Sequence, residues 1–212
     1  MFVLTINQRD TADAGDRVDA LLRRLRTAEA AVPGLAAAPL PFQRSLGDEV
    51  IGAVEDPAVA VDVALRALRE RRWNVGVGVG MVNHADGTPG APAGGCVHDA
   101  AGPGLAAARR AVEAAALSTA RIPLAVRGRD AEAAAEAEAV LKLVGQLVWT
   151  RTDAEWAVLD LLVPGVRGQQ RPAAQALGIS VQAVSQAVQR SFWNEEHACR
   201  PAAARLLGLA AG

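Results

Sequence analysis

The ten residues Trp73 to Val82, WNVGVGVGMV, constrain the fold more than any other stretch, because valine and glycine alternate through three periods. A strand turns successive side chains to opposite faces, so Val75, Val77 and Val79 share one face and Gly76, Gly78 and Gly80 the other. The valine face must pack against an apolar layer. The glycine face carries no Cβ and admits a very close neighbour. The chain therefore has to build a buried sheet around this strand. A dinucleotide-binding fingerprint is a poor fit here, since GVGVG is followed by Met81, Val82 and Asn83 and not by a helix start.

The segments around this strand read as its partners. Phe2 to Ile6 predicts a short buried strand, and a loop with Asp10, Asp13 and Gly15 leads to a helix from Asp16 to about Ala31 that buries Val18, Leu21, Leu22 and Leu25. Pro33-Gly34 ends it, a second strand is expected over Pro41 to Ser45, and Gly47-Asp48-Glu49 forms the acidic tip of a β-hairpin. Asp56-Pro57 opens a helix that runs to Arg72. His84 to Gly104, rich in Gly, Pro and Ala, predicts one long loop, followed by a helix over Leu105 to Ser118 and a strand over Ile122 to Val126.

Beyond that point only helices are expected. Asp130 to about Arg151 carries Val140, Leu143, Val144, Leu147 and Val148 as an apolar stripe, able to bury against its own domain or against a second subunit. Thr152-Asp-Ala-Glu155 is a capping-box pattern that starts a new helix, and Glu195 to Ala210 reads as a last one. The order βα, hairpin, α, β, α, β, then helices, predicts an α+β sandwich with helices on one sheet face over residues 1–129. A linker or dimerisation helix over 130–151 and an all-α domain over 152–212 follow.

Within the last segment, Gln170 to Arg190 reads as two short helices joined by a tight turn. Ala174 is small where the helices must cross, Gly178 can take the positive φ of a helix-ending turn, and Ser180 caps the next helix. Val184 and Val188 then share a buried face at i, i+4 spacing, which leaves Gln182, Ser185, Gln186 and Gln189 outside. Amides and a hydroxyl suit base edges in a major groove, where Gln pairs bidentately with adenine. ALGISVQAVSQAVQR resembles the helix-turn-helix of bacterial one-component regulators. That resemblance implies a DNA-binding surface of Arg171, Ser180, Gln182, Ser185, Gln186, Gln189 and Arg190, with base contacts from Gln182, Ser185, Gln186 and Gln189 and phosphate contacts from Arg171 and Arg190. An αα-hairpin of a helical bundle is the alternative reading of the same spacing.

Charge is consistent with a narrow nucleic-acid surface and not a broad one. Formal net charge is −1 over 212 residues. Residues 150–212 hold 6 basic and 5 acidic side chains, and between Val166 and Asn194 there are three arginines, Arg167, Arg171 and Arg190, and no acid. A local charge of three is modest, so tight binding is expected to need a homodimer on double-stranded DNA. Two cysteines, Cys96 and Cys199, give no disulfide framework and suit a reducing cytoplasm. No targeting segment is read, and no run reaches the roughly 18 apolar residues of a membrane span.

SLGDEVIG, Ser45 to Gly52, together with the GVGVG strand and GPGLAAAR, Gly102 to Arg109, resembles the palm of nucleotide cyclases and GGDEF proteins, a ferredoxin-like fold. The same order, LGDEVIG, an alternating Gly strand and GPGLAAARRAV, is more closely similar to the SatD family. Two groups depart from the cyclase pattern: Asn7 stands where a metal-binding Asp would end the first strand, Asp10 being three residues late, and Leu105 stands where an Asn would precede Arg109. Two-metal catalysis needs two converging carboxylates, so the resemblance implies a domain without catalysis. Asp48, Glu49 and Arg109 remain candidate ligand-binding groups. Cys96 and His98, with His84 nearby, are read as incidental loop residues, and no metal, cofactor or nucleophile set is assigned.

The expectation is a cytoplasmic DNA-binding transcriptional regulator, not an enzyme, whose cyclase-like domain senses a small-molecule or nucleotide ligand or holds a homodimer together. The alternative is a metal-dependent nucleotide-processing enzyme of the palm type with a helical partner-binding tail; a third is an interaction protein with neither activity.

Overall fold

The valine and glycine faces of the strand at Trp73–Val79 meet different layers of helix. The structure is a computed structural model and describes residues 1–9, 15–30, 32–92 and 95–212. In chain order the elements are β1 (Phe2–Gln8), α1 (Val18–Glu29), α2 (Pro33–Ala36), β2 (Leu40–Arg44), β3 (Glu49–Val54), α3 (Pro57–Arg69), β4 (Trp73–Val79), β5 (Asn83–His84), β6 (Ala100–Ala101), α4 (Pro103–Leu117) and β7 (Leu124–Arg127). Then come α5 (Ala131–Thr150), α6 (Asp153–Leu159), α7 (Gln170–Leu177), α8 (Val181–Arg190) and α9 (Trp193–Leu209). The architecture is α+β. A mixed five-stranded sheet has the order β2-β3-β1-β4-β7, antiparallel throughout except for the parallel pair of β4 with β7.

On the valine side Val75, Val77 and Val79 join Leu4, Ile6, Val50 and Val54 in one core with Leu21 and Leu25 of α1 and Val61, Leu65 and Leu68 of α3. On the other side a Cβ added at Gly78 would lie 2.2 Å from the Ala108 nitrogen and 2.4 Å from the Gly104 oxygen, and one at Gly76 would lie 2.3 Å from the Val112 nitrogen. The close neighbour is thus the backbone of α4. Sequence order suggested helices on one face; the sheet is covered on both, because the bare glycine face lets a helix approach closer than any side chain would permit. Leu105 and Ala108 of α4 complete a second core with Val3, Ile51 and Ala53.

The stretch from His84 to Gly104 is not one irregular loop. β5 pairs with β6, Val97–Asp99 forms a 3-10 turn, and Val82 and Val97 are buried in the second core.

The cores divide the chain differently from the segments 1–129, 130–151 and 152–212. α5, capped by the Asp130 carboxylate, buries Ala133, Ala134, Ala137, Leu141, Val144 and Val148 in the valine-side core, and α9 adds Ala203, Ala204 and Leu207. The α5 stripe splits: Val144 and Val148 turn inward, Val140 and Leu147 are half-buried, and Leu143 stays 68% exposed. A separate core holds α6, α7 and α8 through Val158, Leu159, Ala173, Ala174, Val184, Ala187 and Val188, with Trp193 from the start of α9. The capping box of Thr152 with Glu155 starts α6.

Trp156 packs against both the valine-side and the three-helix cores. Beside it Arg151 is buried, its Nε donating to the Ser191 carbonyl (3.0 Å) and its guanidinium facing the buried Glu196 carboxylate (3.4 Å). Burial alone would raise the Glu196 pKa, but hydrogen bonds from His197 and Arg200 outweigh it and hold the carboxyl at about 2. The Arg151 pKa is lowered as well, burial being the larger cause and Glu196 opposing it. Being an arginine, it remains a cation. No helix among the described residues is long and apolar enough to cross a membrane.

Candidate functional site

Two groups of polar side chains carry the sequence-derived candidates, one at an end of the sheet and one on α8. At the sheet end, Asn7 of β1 stands in register with Glu49 of β3 on one side and Asn74 of β4 on the other. All three lie on the glycine face by strand alternation, in the row beyond Thr5. Asn74 Nδ2 donates to Asn7 Oδ1 at 2.9 Å. The Thr5 hydroxyl is buried with no partner among the described residues. Gln8 reaches the approach to α1: its side chain donates to the Gly15 carbonyl (2.7 Å) and accepts from Arg17 N (2.9 Å). Asp10 lies outside the described residues.

Register separates the two acids of the hairpin. Glu49 is already in β3 and half-buried, and burial pushes its carboxyl up; the Ser45 hydrogen bond and the charge of Arg109 offset this only in part, and Asp48 adds to it. Asp48 sits in the turn, its carbonyl accepting from Gln8 N (3.2 Å). Arg44 holds that turn, donating to the Gly47 carbonyl (2.7 Å) and pairing with Asp16 (2.8 Å) on the approach to α1. Arg109 is exposed on α4 and reaches Glu49 through its charge alone. The amino end of α4 is closed as well, because Gly104 N donates to the Met81 carbonyl (2.9 Å). Of these groups the register sets Glu49 and Asn74 on either side of Asn7, while Asp48 stays in the turn and Arg109 on the exposed side of α4.

On α8 the arrangement is the reverse. α7 ends at Gly178 with φ +65°, where the Ile179 amide donates back to the Ala174 carbonyl (3.0 Å). Ser180 then accepts from Ala183 N (3.1 Å) and caps α8. At 100° per residue, Gln182, Ser185, Gln186, Gln189 and Arg190 fall within an arc of about 140°, opposite Val184, Ala187 and Val188. Burial follows that arithmetic: the three apolar residues are inside, Ser185 is half-buried, and the three glutamines and Arg190 are exposed. Ser180 spends its oxygen as an acceptor on the cap and keeps its O–H free to donate. Arg171 is exposed on α7, and none of Arg167, Arg171 and Arg190 has an ion pair among the described residues.

Two features escaped the sequence. Gln169 pins the loop ahead of α7, accepting from Val163 N (2.7 Å) and donating to the carbonyls of Val163 (2.8 Å) and Val166 (2.9 Å). A glutamine in a loop gives no local signal for this. The hub of Arg151, Trp156 and Glu196 was missed too, although Glu196 and Arg200 stand at i, i+4, a spacing that could have flagged an ion pair. Against protein-family models, curated proteins and solved structures alike, the chain finds no match.

Proposed function

We propose that the protein is a DNA-binding transcriptional regulator, a homodimer on double-stranded DNA, in which α7 and α8 act as a helix-turn-helix and the α+β part is a palm-like domain without catalysis. The observation that carries this is the outward arc of α8, a row of exposed glutamines with no acid among them, opposite a buried apolar face. Gln182, Ser185, Gln186 and Gln189 read base edges; Ser180, Arg171 and Arg190 hold phosphates.

The order β2-β3-β1-β4 of the first four strands, with α1 and α3 as crossovers, supports the ferredoxin-like palm. The described groups in this row of the sheet end support the loss of catalysis: among them one carboxylate, Glu49, beside two amides bonded to each other does not fit a two-metal centre. Glu49, Asp48 and Arg109 remain the groups through which that domain would take a ligand.

Titration of a selected duplex with the Gln186→Ala and Arg190→Ala proteins tests the reading. Gln186→Ala costs about 1–3 kcal/mol against one base pair and little on random DNA, whereas Arg190→Ala weakens both and lowers the salt slope of a dimer by about two. Equal losses from both changes on specific and random DNA would rule out base reading by α8.

A further inference from the structure

The cleft where α3, α6 and α9 meet has a volume of about 500 Å³, within the ~300–1,000 Å³ of small-molecule sites. Its charges do not balance. Asp160 takes both terminal nitrogens of Arg69 (2.7 and 2.6 Å), Asp62 is shared by Arg66 and Arg200, and Glu196 is shared by Arg151 and Arg200. Four guanidiniums are thus served by three carboxylates on the walls of one cleft. Arg66 and Arg69 keep 43% and 35% of their side chains exposed, so another anion reaches them without dismantling the buried part of the network.

A second observation is independent of charge. Trp156 lies under Arg69 at 3.9 Å and Arg151 at 4.9 Å, and its buried indole N–H has no acceptor among the described residues. Leaving such a donor unpaired costs about 1–3 kcal/mol. Around it Leu65, Val148, Leu162 and Val163 supply apolar wall. Two left-handed residues outside the cleft brace its Arg151: Arg71 (φ 59°) donates to the Arg151 carbonyl, and Phe192 (φ 50°) follows Ser191, whose carbonyl takes the Arg151 Nε. A left-handed conformation costs a non-glycine residue about 1–2 kcal/mol, and strain of this kind collects at ligand clamps and switches.

We infer that this cleft binds a small organic monoanion, a carboxylate on an apolar body, with the carboxylate at Arg66 and Arg69, the body against Leu65 and Trp156, and the indole N–H as a further donor. A carboxylate competing for Arg69 releases Asp160, the residue that ends α6, and so loosens the three-helix unit from α3. Binding here does not depend on α8 reading DNA, and it is measured without DNA.

Calorimetric titration with phenylacetate and octanoate, and with 2-phenylethanol as the uncharged counterpart, decides the matter. At least one acid binds saturably and the alcohol does not; Arg66→Gln and Trp156→Phe, each folded by circular dichroism, weaken the acid by about tenfold or more. Failure of both acids to saturate below about 10 mM, equal binding of the alcohol, or wild-type affinity in both variants would overturn the assignment.

Discussion

The sheet-end polar groups and the outward arc of α8 are built from similar side chains and are put to opposite uses. Asn7 and Asn74 bond each other, and Glu49 is half-buried with Ser45 as a hydrogen-bond partner. Gln182, Gln186 and Gln189 face water. An amide satisfied by its neighbour organises a fold, whereas an amide facing solvent over an apolar helix face is available to an external partner. The sheet-end amides are thus turned on each other, and the small helical unit carries the open surface.

The largest expected effect breaks the packing that encloses the sheet-end groups. Gly78→Ala sets a Cβ against two backbone atoms of α4 that cannot rotate away, so denaturant unfolding should show a loss of about 4 kcal/mol or more. A loss under about 1 kcal/mol would mean that α4 does not lie on the glycine face in solution.

Next is the hub that joins the two regions. Glu196→Ala leaves the Arg151 cation buried without its partner and should cost about 3 kcal/mol at neutral pH. The sign with pH follows from the Glu196 pKa, lowered from 4.5 to about 2: its stabilisation is complete above the unfolded value and is lost as pH falls toward 2. Wild type and Glu196→Ala should therefore converge in stability between about pH 4.5 and 2. Parallel curves would remove the charge from the explanation.

How much of this was legible in the sequence depends on how local each signal was. The alternation of β4, the Ser180 cap and the Thr152–Glu155 box use residues a few positions apart, and their elements stand where the sequence put them. The covering of both sheet faces was hidden because the partner of Gly78 lies thirty residues on, at Ala108. Glu49 could not be told from Asp48 without the register that sets it beside Asn7. The α5 stripe split because a 3.6-residue period places Leu143 and Val144 on different sides of the helix.

A smaller effect sharpens the contrast from the buried side. The folded pKa of Glu49 is raised, so its ionised form opposes folding above the ordinary glutamate value. Glu49→Gln should raise the thermal midpoint slightly at pH 7 and leave it unchanged at pH 4 or below. A lower midpoint at pH 7 would show that the carboxylate is needed in its charged form.

The central claim, that the α8 arc reads DNA, is tested most directly by selecting bound sequences from a random duplex pool with the full chain. Enrichment of a two-fold symmetric site, whose half-sites lie about one helical turn apart and which Gln186→Ala no longer enriches, is the result predicted. A pool that comes through unenriched would contradict it.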